Sequence, residues 1–346
     1  MAQEHVYKVL FFVQSAAFIM LIISYSQNPG VLYGSRLQPS PKARVTNACN
    51  CSSNKTTLKN ETVHLCMPVQ NDIRGPLSNC TLADVMKRSK VMLLSTTNLG
   101  FLDITLNMLE SIKRIGVCVN TTIIAEDQKC YRYLSKRAEA DPAVHVVLTN
   151  SGESTSKEIL RTQRRQYYAL FNKRQSYLLT MLQQGLDVLF SDADTFWFRD
   201  PFPFFKGDFD ISLIDSISPY PVRTNRGDYC AGFVYYKPTN ATLQLVNTWI
   251  QTMQENDKKG KLLADQSVLN GLVHADKPVY VRIKPLDTNI FPWGPKFYSL
   301  LEKKANYSTV VMHAASIRGR AAKIAKFKSS NMWLVNSTIE EIAGQA

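Results

Sequence analysis

The segment Leu186–Asp194, LDVLFSDAD, decides how the rest of the chain is read. Leu186 to Ser191 is a short apolar run after Gly185, the pattern of a buried strand, and it stops at two carboxylates, Asp192 and Asp194. The carboxyl end of such a strand is where open α/β sheets bind ligands. In extended backbone residues i and i+2 face one side, so the two carboxylates converge on one point. Two hard oxygen donors there suit Mg²⁺ or Mn²⁺, which in turn bridges the phosphates of a nucleotide. Alone the triplet is a weak motif, since acidic caps at strand ends are frequent. Phe196, Trp197 and Phe198, then Arg199 to Phe205 with Pro201 and Pro203, read as a core-packing loop in which proline stops a helix.

Upstream of this segment, Arg161 to Gln184 is a long helical stretch ending at Gly185, a C-cap signal. Further back, Lys90 to Thr97 (KVMLLSTT) is an apolar run ending in polar residues, followed by an amphipathic stretch from Leu102 to Ile115. Thr121 to Asp127 is a second strand, a helix runs through Lys136, and Val144 to Thr149 is a third strand. Strand and helix in alternation predict parallel βαβ units with both sheet faces covered. Downstream, strands are expected at 210–215, 232–237, 279–285 and 310–313, and helices at 241–255 and 265–274. No internal repeat interrupts this.

The 346 residues, 45% hydrophobic and 20% charged, suffice for a sizeable core and exclude disorder and a small disulfide knot. From Val6 to Tyr25 an apolar run would span roughly 30 Å as a helix, enough for one membrane crossing. It predicts a tail at 1–8, a transmembrane signal-anchor at 9–25 and, where Pro29, Pro39, Pro41, Pro68 and Pro76 break every periodicity, a lumenal stem at 26–89. A cleaved signal peptide is the alternative, given Ser24-Tyr25-Ser26. The folded body is 90–346. Eight Asn-x-Ser/Thr sequons, at Asn50, Asn54, Asn60, Asn79, Asn120, Asn240, Asn306 and Asn336, support a lumenal or extracellular body. Six of the seven cysteines fall in the first 130 residues and read as disulfides of an oxidising compartment, with Cys230 apart. Cys118 and Cys130 flank a strand and so lie too far apart to bridge each other. The formal charge of +13 favours an anionic partner, and a lumenal body argues against nucleic acid.

LFSDADTFWFRDPFPFF resembles the central block of the nucleotide-diphospho-sugar transferase domain of glycosyltransferase family 77. The resemblance continues through CAGFVYYKPT at 230–239, ADQSVLNGL at 264–272, LDTNIFPWG at 286–294 and the segment 310–333, and covers roughly 90–335. It implies a GT-A type, single Rossmann-like α/β domain with a mostly parallel mixed sheet. It also implies a retaining transferase of a Golgi, single-pass type II membrane protein. Such an enzyme takes a UDP-sugar, with xylose or galactose the expected donor sugars, and uses Mn²⁺ (or Mg²⁺) to act on a glycan or glycoprotein acceptor.

Carried over by residue, the resemblance makes Asp192, Asp194 and His313 the metal ligands, with Asp192 also near the ribose. Asp265 and Gln266 become the catalytic pair at the sugar, although Asp265 also reads simply as a helix N-cap. Thr97, Asn98, Lys173, Arg174, Gly232 and Lys323 fall to the nucleotide-sugar, with Lys323 at the diphosphate. Two positions depart from the family pattern: Ala315 stands where an Asn is typical, and Cys230-Ala231 where a polar Asn-Thr or Asn-Ser pair is common. Those departures support the alternative of a catalytically silent, lectin-like or structural membrane protein that kept the fold.

Overall fold

The structure, a computed structural model, describes residues 76–149, 173–216, 228–261, 263–275, 278–305 and 308–336. Among these residues the order is α1 (Leu82–Met86), β1 (Val91–Thr97), α2 (Leu102–Arg114), β2 (Asn120–Ala125), α3 (Gln128–Ala138) and β3 (Val144–Leu148). Then come α4 (Arg174–Gln183), β4 (Asp187–Ser191), β5 (Thr195–Trp197), β6 (Ile211–Asp215), β7 (Tyr229–Tyr236) and α5 (Asn240–Lys258). The chain continues with α6 (Asp265–His274), β8 (Ile283–Leu286), α7 (Gly294–Glu302), β9 (Val311–His313) and α8 (Arg320–Ser329).

Seven strands form one sheet in the order β3-β2-β1-β4-β7-β6-β8. β1 to β4 run parallel, β7 is antiparallel to β4 and β6, and β8 is parallel to β6. This is the mostly parallel mixed sheet that the resemblance to a GT-A type domain implied. Both faces are covered, as the uninterrupted apolar strands required. Leu93, Ile123, Leu189 and Phe233 point to one core with Leu106 and Leu109 of α2. Their neighbours Leu94, Ile124, Phe190 and Val234 point to the other, with Leu178 of α4, Trp249 of α5 and Val268 of α6. Alternate residues thus go to opposite faces, and each fully buried Leu or Phe contributes roughly 1.5–3 kcal/mol.

Most of the expected elements are present, and the differences have local causes. β8 is shorter than the strand expected at 279–285, and β7 starts three residues before Gly232. Of the stretch 161–184, the described residues hold α4; the rest lies outside them. β5, α7 and α8 carry too few residues, or too weak a period, to be legible. The aromatic loop packs as its composition suggested: Trp197 is fully buried and Phe205 stacks on Tyr235 at 4.4 Å.

The folded body also begins before the boundary drawn at residue 89. Leu77 and Val85 enter the first core, and Cys80 is bridged to Cys118 with Cα atoms 5.6 Å apart. Residues 76–89 therefore belong to the domain, pinned by burial and a covalent link that no local period signals. Cys118 does not pair with Cys130, which is free and buried, as is Cys230. Cys49, Cys51 and Cys66 lie outside the described residues. So does the apolar run at 9–25; among the described residues no helix is long and apolar enough to cross a membrane. Of the sequons, Asn79, Asn240 and Asn336 are exposed and Asn120, which opens β2, is half-buried. Asn50, Asn54, Asn60 and Asn306 lie outside the described residues.

Candidate active site

The site forms where β4 ends. β7 runs beside β4 so that Ser191 faces Phe233, and the Asp192 amide donates to the Gly232 carbonyl at 2.7 Å. Two residues on, β5 pairs antiparallel with β9, setting Thr195 opposite His313, and the Ala314 amide donates to the Asp194 carbonyl at 3.0 Å. That small ladder carries an imidazole from far along the chain to the two carboxylates. His313 Nε2 lies 3.2 Å from Asp194 Oδ1 and 3.5 Å from Asp192 Oδ2. His313 and Asp194 are buried, while Asp192 keeps part of its side chain in solvent.

Gly232 is required by space. A Cβ there would sit 2.2 Å from Asp192 Oδ2 and 2.4 Å from His313 Cε1, well inside contact distance. Its absent side chain is what lets β7 lie against the triad.

A second set of groups surrounds Asp192. Arg174, at the start of α4, is 5% exposed and lies over the Phe190 ring at 4.7 Å. Its Nη1 donates to Asp192 Oδ1 at 2.7 Å and its Nη2 pairs with Asp265. Gln175 Nε2 donates to Asp265 Oδ2 at 3.1 Å. Asp265 is held from behind as well, since the Trp249 indole donates to its carbonyl at 3.1 Å. Ala264, not Asp265, is the N-cap of α6, and the Asp265 carboxylate turns away to Arg174. The N-cap reading is thereby corrected. Gln266 follows with its amide engaged at both ends: Oε1 accepts from the Ala231 amide at 3.3 Å and Nε2 donates to Asp228 Oδ1 at 3.4 Å. Lys323, one turn into α8, reaches back to the Asp194 carboxylate and donates to the Ala314 carbonyl at 2.9 Å.

The electrostatics follow from burial opposed by partners. Burial alone would keep Asp194 neutral, but the Lys323 ammonium and His313 outweigh it and hold its carboxyl far below the usual carboxylate range. Burial works against a charged His313, yet the Cys230 sulfur, Asp194 and Asp192 push its pKa well above the ordinary value. Burial would discharge Arg174 too, and Asp265 with Asp192 overcome it and raise its pKa further.

The structure thus brings together Asp192, Asp194, His313, Gly232, Arg174, Asp265, Gln266 and Lys323. Lys173 is exposed beside Arg174, and it is Arg174 that reaches the carboxylates. Thr97 and Asn98 end β1 on the same sheet edge, with local partners: the Thr97 hydroxyl meets that of Thr105 at 2.6 Å, and Asn98 Oδ1 accepts from the Phe101 amide at 3.1 Å. Gln175, Asp228 and the contact of Cys230 with His313 carried no motif that a single sequence exposes.

Two carboxylates and one imidazole each offer a ligand atom within 4.8 Å of the others. Hard oxygens with a borderline nitrogen fit a divalent cation such as Mn²⁺, and three protein ligands leave the remaining positions to oxygens of another molecule. The cations Arg174 and Lys323 lie where an anion bridged to that metal would meet them.

Comparisons with known proteins agree in kind. The family model for nucleotide-diphospho-sugar transferases matches residues 116–327. The chain is 23% identical over 287 residues to a UDP-galactose:fucoside alpha-3-galactosyltransferase of Dictyostelium discoideum, covering 73% of this chain and 44% of that one. It is 25% identical over 275 residues to UDP-D-xylose:L-fucose alpha-1,3-D-xylosyltransferase 3 of Arabidopsis thaliana, covering 74% and 70%. It therefore spans less than half the length of the Dictyostelium relative. Among solved structures it is similar to the galactosyltransferase LgtC bound to donor and acceptor sugar analogs, at 11% identity and TM-score 0.49, covering 74% of this chain and 100% of that one. The match to the family model runs from just before β2 into α8, takes in every residue of the triad, and extends over more than half of the sequence; the chain belongs to the nucleotide-diphospho-sugar transferase family.

Proposed function

We propose that this protein is a Mn²⁺-dependent retaining glycosyltransferase that moves xylose or galactose from a UDP-sugar onto a fucosyl residue of a glycan or glycoprotein. The observation that carries the proposal is the convergence of Asp192, Asp194 and His313 at the end of β4, with Asp265 tied to the same centre through Arg174. The fucosyl acceptor is supported by the names of the relatives, which specify an α-1,3 link to fucose or a fucoside. Their names give a UDP-sugar donor and an alpha linkage in the product, the outcome that retention gives from an α-linked donor.

In the reaction, sugar C1 exchanges its bond to the diphosphate oxygen for one to the acceptor oxygen, and the acceptor hydroxyl proton passes to the departing diphosphate. A bound divalent cation would supply charge neutralisation on the departing diphosphate. Lys323 is placed to take up a phosphate oxygen once it leaves Asp194, adding a second positive charge there. Arg174, paired with both Asp265 and Asp192, fixes the Asp265 carboxylate beside the carboxylate of Asp192. Gln266, its amide clamped by Ala231 and Asp228, presents a fixed dipole beside it.

The Cys80–Cys118 bridge supports a body that folds in an oxidising compartment, in keeping with a Golgi lumenal location behind the 9–25 anchor. The test of function is a panel of UDP-sugars with a fucoside acceptor and Mn²⁺. Xylosyl or galactosyl transfer, lost in Asp194→Ala, is the expected result. No transfer from any donor, together with UDP binding unchanged by Mn²⁺ and by Asp194→Ala, overturns the proposal.

A further inference from the structure

We propose that Cys230 is the positioning residue of His313, selecting the ring orientation and tautomer with which the imidazole serves the metal site. This rests on the reading of Asp192, Asp194 and His313 as ligands. Cys230 is buried and unbridged, and its Sγ lies 3.4 Å from His313 Nδ1. Both carboxylates face the other ring nitrogen, Nε2. The sulfur is therefore on the far edge of the ring and is not a ligand of the same cation.

A neutral imidazole that offers the Nε2 lone pair to a cation carries its hydrogen on Nδ1, and a buried N–H needs an acceptor. Cys230 Sγ is within reach of it. Thiol sulfur is a weak acceptor, but its long C–S bond and soft electron cloud suit a longer contact than oxygen would make. The backbone of His313 is already held by its pairing with Thr195, which leaves rotation about χ2 undetermined. That torsion is broad and roughly two-fold, and a half-turn would put Cε1 where Nε2 now meets the carboxylates. β7 removes this freedom with two residues on one face: Cys230 meets Nδ1, and bare Gly232 lets the Cε1 edge close up. Cys230 thus does at a distance of one atom what carboxylates or carbonyls commonly do behind a metal-bound histidine.

The experiment compares the full chain with Cys230→Ala, Cys230→Ser, Cys230→Asn and His313→Ala. Mn²⁺ affinity is read from the EPR signal of free Mn²⁺ in the presence of UDP, and folding from thermal unfolding. Cys230→Ala is expected to weaken Mn²⁺ about 10–100-fold, the usual loss when the partner behind a metal-bound histidine is removed. Ser or Asn, which keep an acceptor, should recover most of it at similar thermal stability. With Mg²⁺ bound, ¹⁵N shifts should report the Nδ1-protonated tautomer in the wild type and a mixture in Cys230→Ala. If His313→Ala loses Mn²⁺ while Cys230→Ala binds as the wild type with an unchanged tautomer, the positioning role is overturned. If His313→Ala itself binds normally, the metal-site reading fails, and this inference with it.

Discussion

Adding one methyl group at Gly232 should disable the site while leaving the fold standing. In Gly232→Ala the new Cβ would meet Asp192 Oδ2 at 2.2 Å and His313 Cε1 at 2.4 Å. Carbon and oxygen rest at about 3.3 Å or more and two carbons at about 3.5–4.0 Å, so each side chain must move about 1 Å. Metal–ligand distances tolerate only about 0.2 Å, and a 1 Å misplacement can cost about 100-fold in rate. The expected losses are therefore about 100-fold in both Mn²⁺ affinity and kcat/KM. Overpacking should cost about 1–3 kcal/mol, a fall in Tm of about 5 °C. Gly271→Ala is the matched control: in α6 nothing lies within 4 Å of its added Cβ, and it should stabilise by about 1 kcal/mol without touching metal binding. EPR titration of Mn²⁺ with UDP and calorimetry of both variants decide it. A Gly232→Ala protein that binds Mn²⁺ as tightly as the wild type would refute the close-approach argument.

Three further outcomes are expected. Arg174→Met should destabilise by about 3–5 kcal/mol, because it leaves the carboxylates of Asp265 and Asp192 without the cation buried between them; urea unfolding without metal measures it. Asp210 takes bonds from Arg282 at 2.8, 2.9 and 3.0 Å and from Thr239 at 2.8 Å, and Arg282 outweighs burial to hold its pKa at about 2. Because the folded value lies below the unfolded one of about 3.9, this group adds about 2 kcal/mol above about pH 4, an advantage lost as pH falls toward 2. The stability gap between the wild type and Asp210→Asn should shrink over that window, and a gap constant with pH would contradict it. Replacing Cys80 and Cys118 by Ser opens a loop with a sequence separation of 38 and should cost about 4 kcal/mol on the chain-entropy account, read as a fall in the urea midpoint.

β1 to β4 and the helices between them were legible because each buries a face at its own period, and a period is visible inside one window. The carboxylate pair was legible for the same reason: an apolar run that stops at Asp-x-Asp states both the strand and its polar end. Gly232 and His313 were placed only through the family resemblance, and neither the space that excludes a Cβ nor the ring partner Cys230 has a linear signature. Residues 76–89 looked like stem because their proline and sequon content hides two buried side chains and half a disulfide. Arg174 and Lys173 are indistinguishable as neighbours in a string; the rotation of α4 buries one and exposes the other.

By itself, then, the sequence determined an alternating α/β chain with paired carboxylates at a strand end, since hydrophobic spacing dictates which faces must be buried. Only the tertiary structure decided which distant segments meet there. The ladder of Thr195–Trp197 with Val311–His313 has three residues a side, too short to announce itself locally, and it is held by burial of Trp197 and Val311 in one core and of Phe196 and Met312 in another. Its register sets His313 beside Asp194, and so the metal site is a product of long-range pairing rather than of any single stretch of sequence.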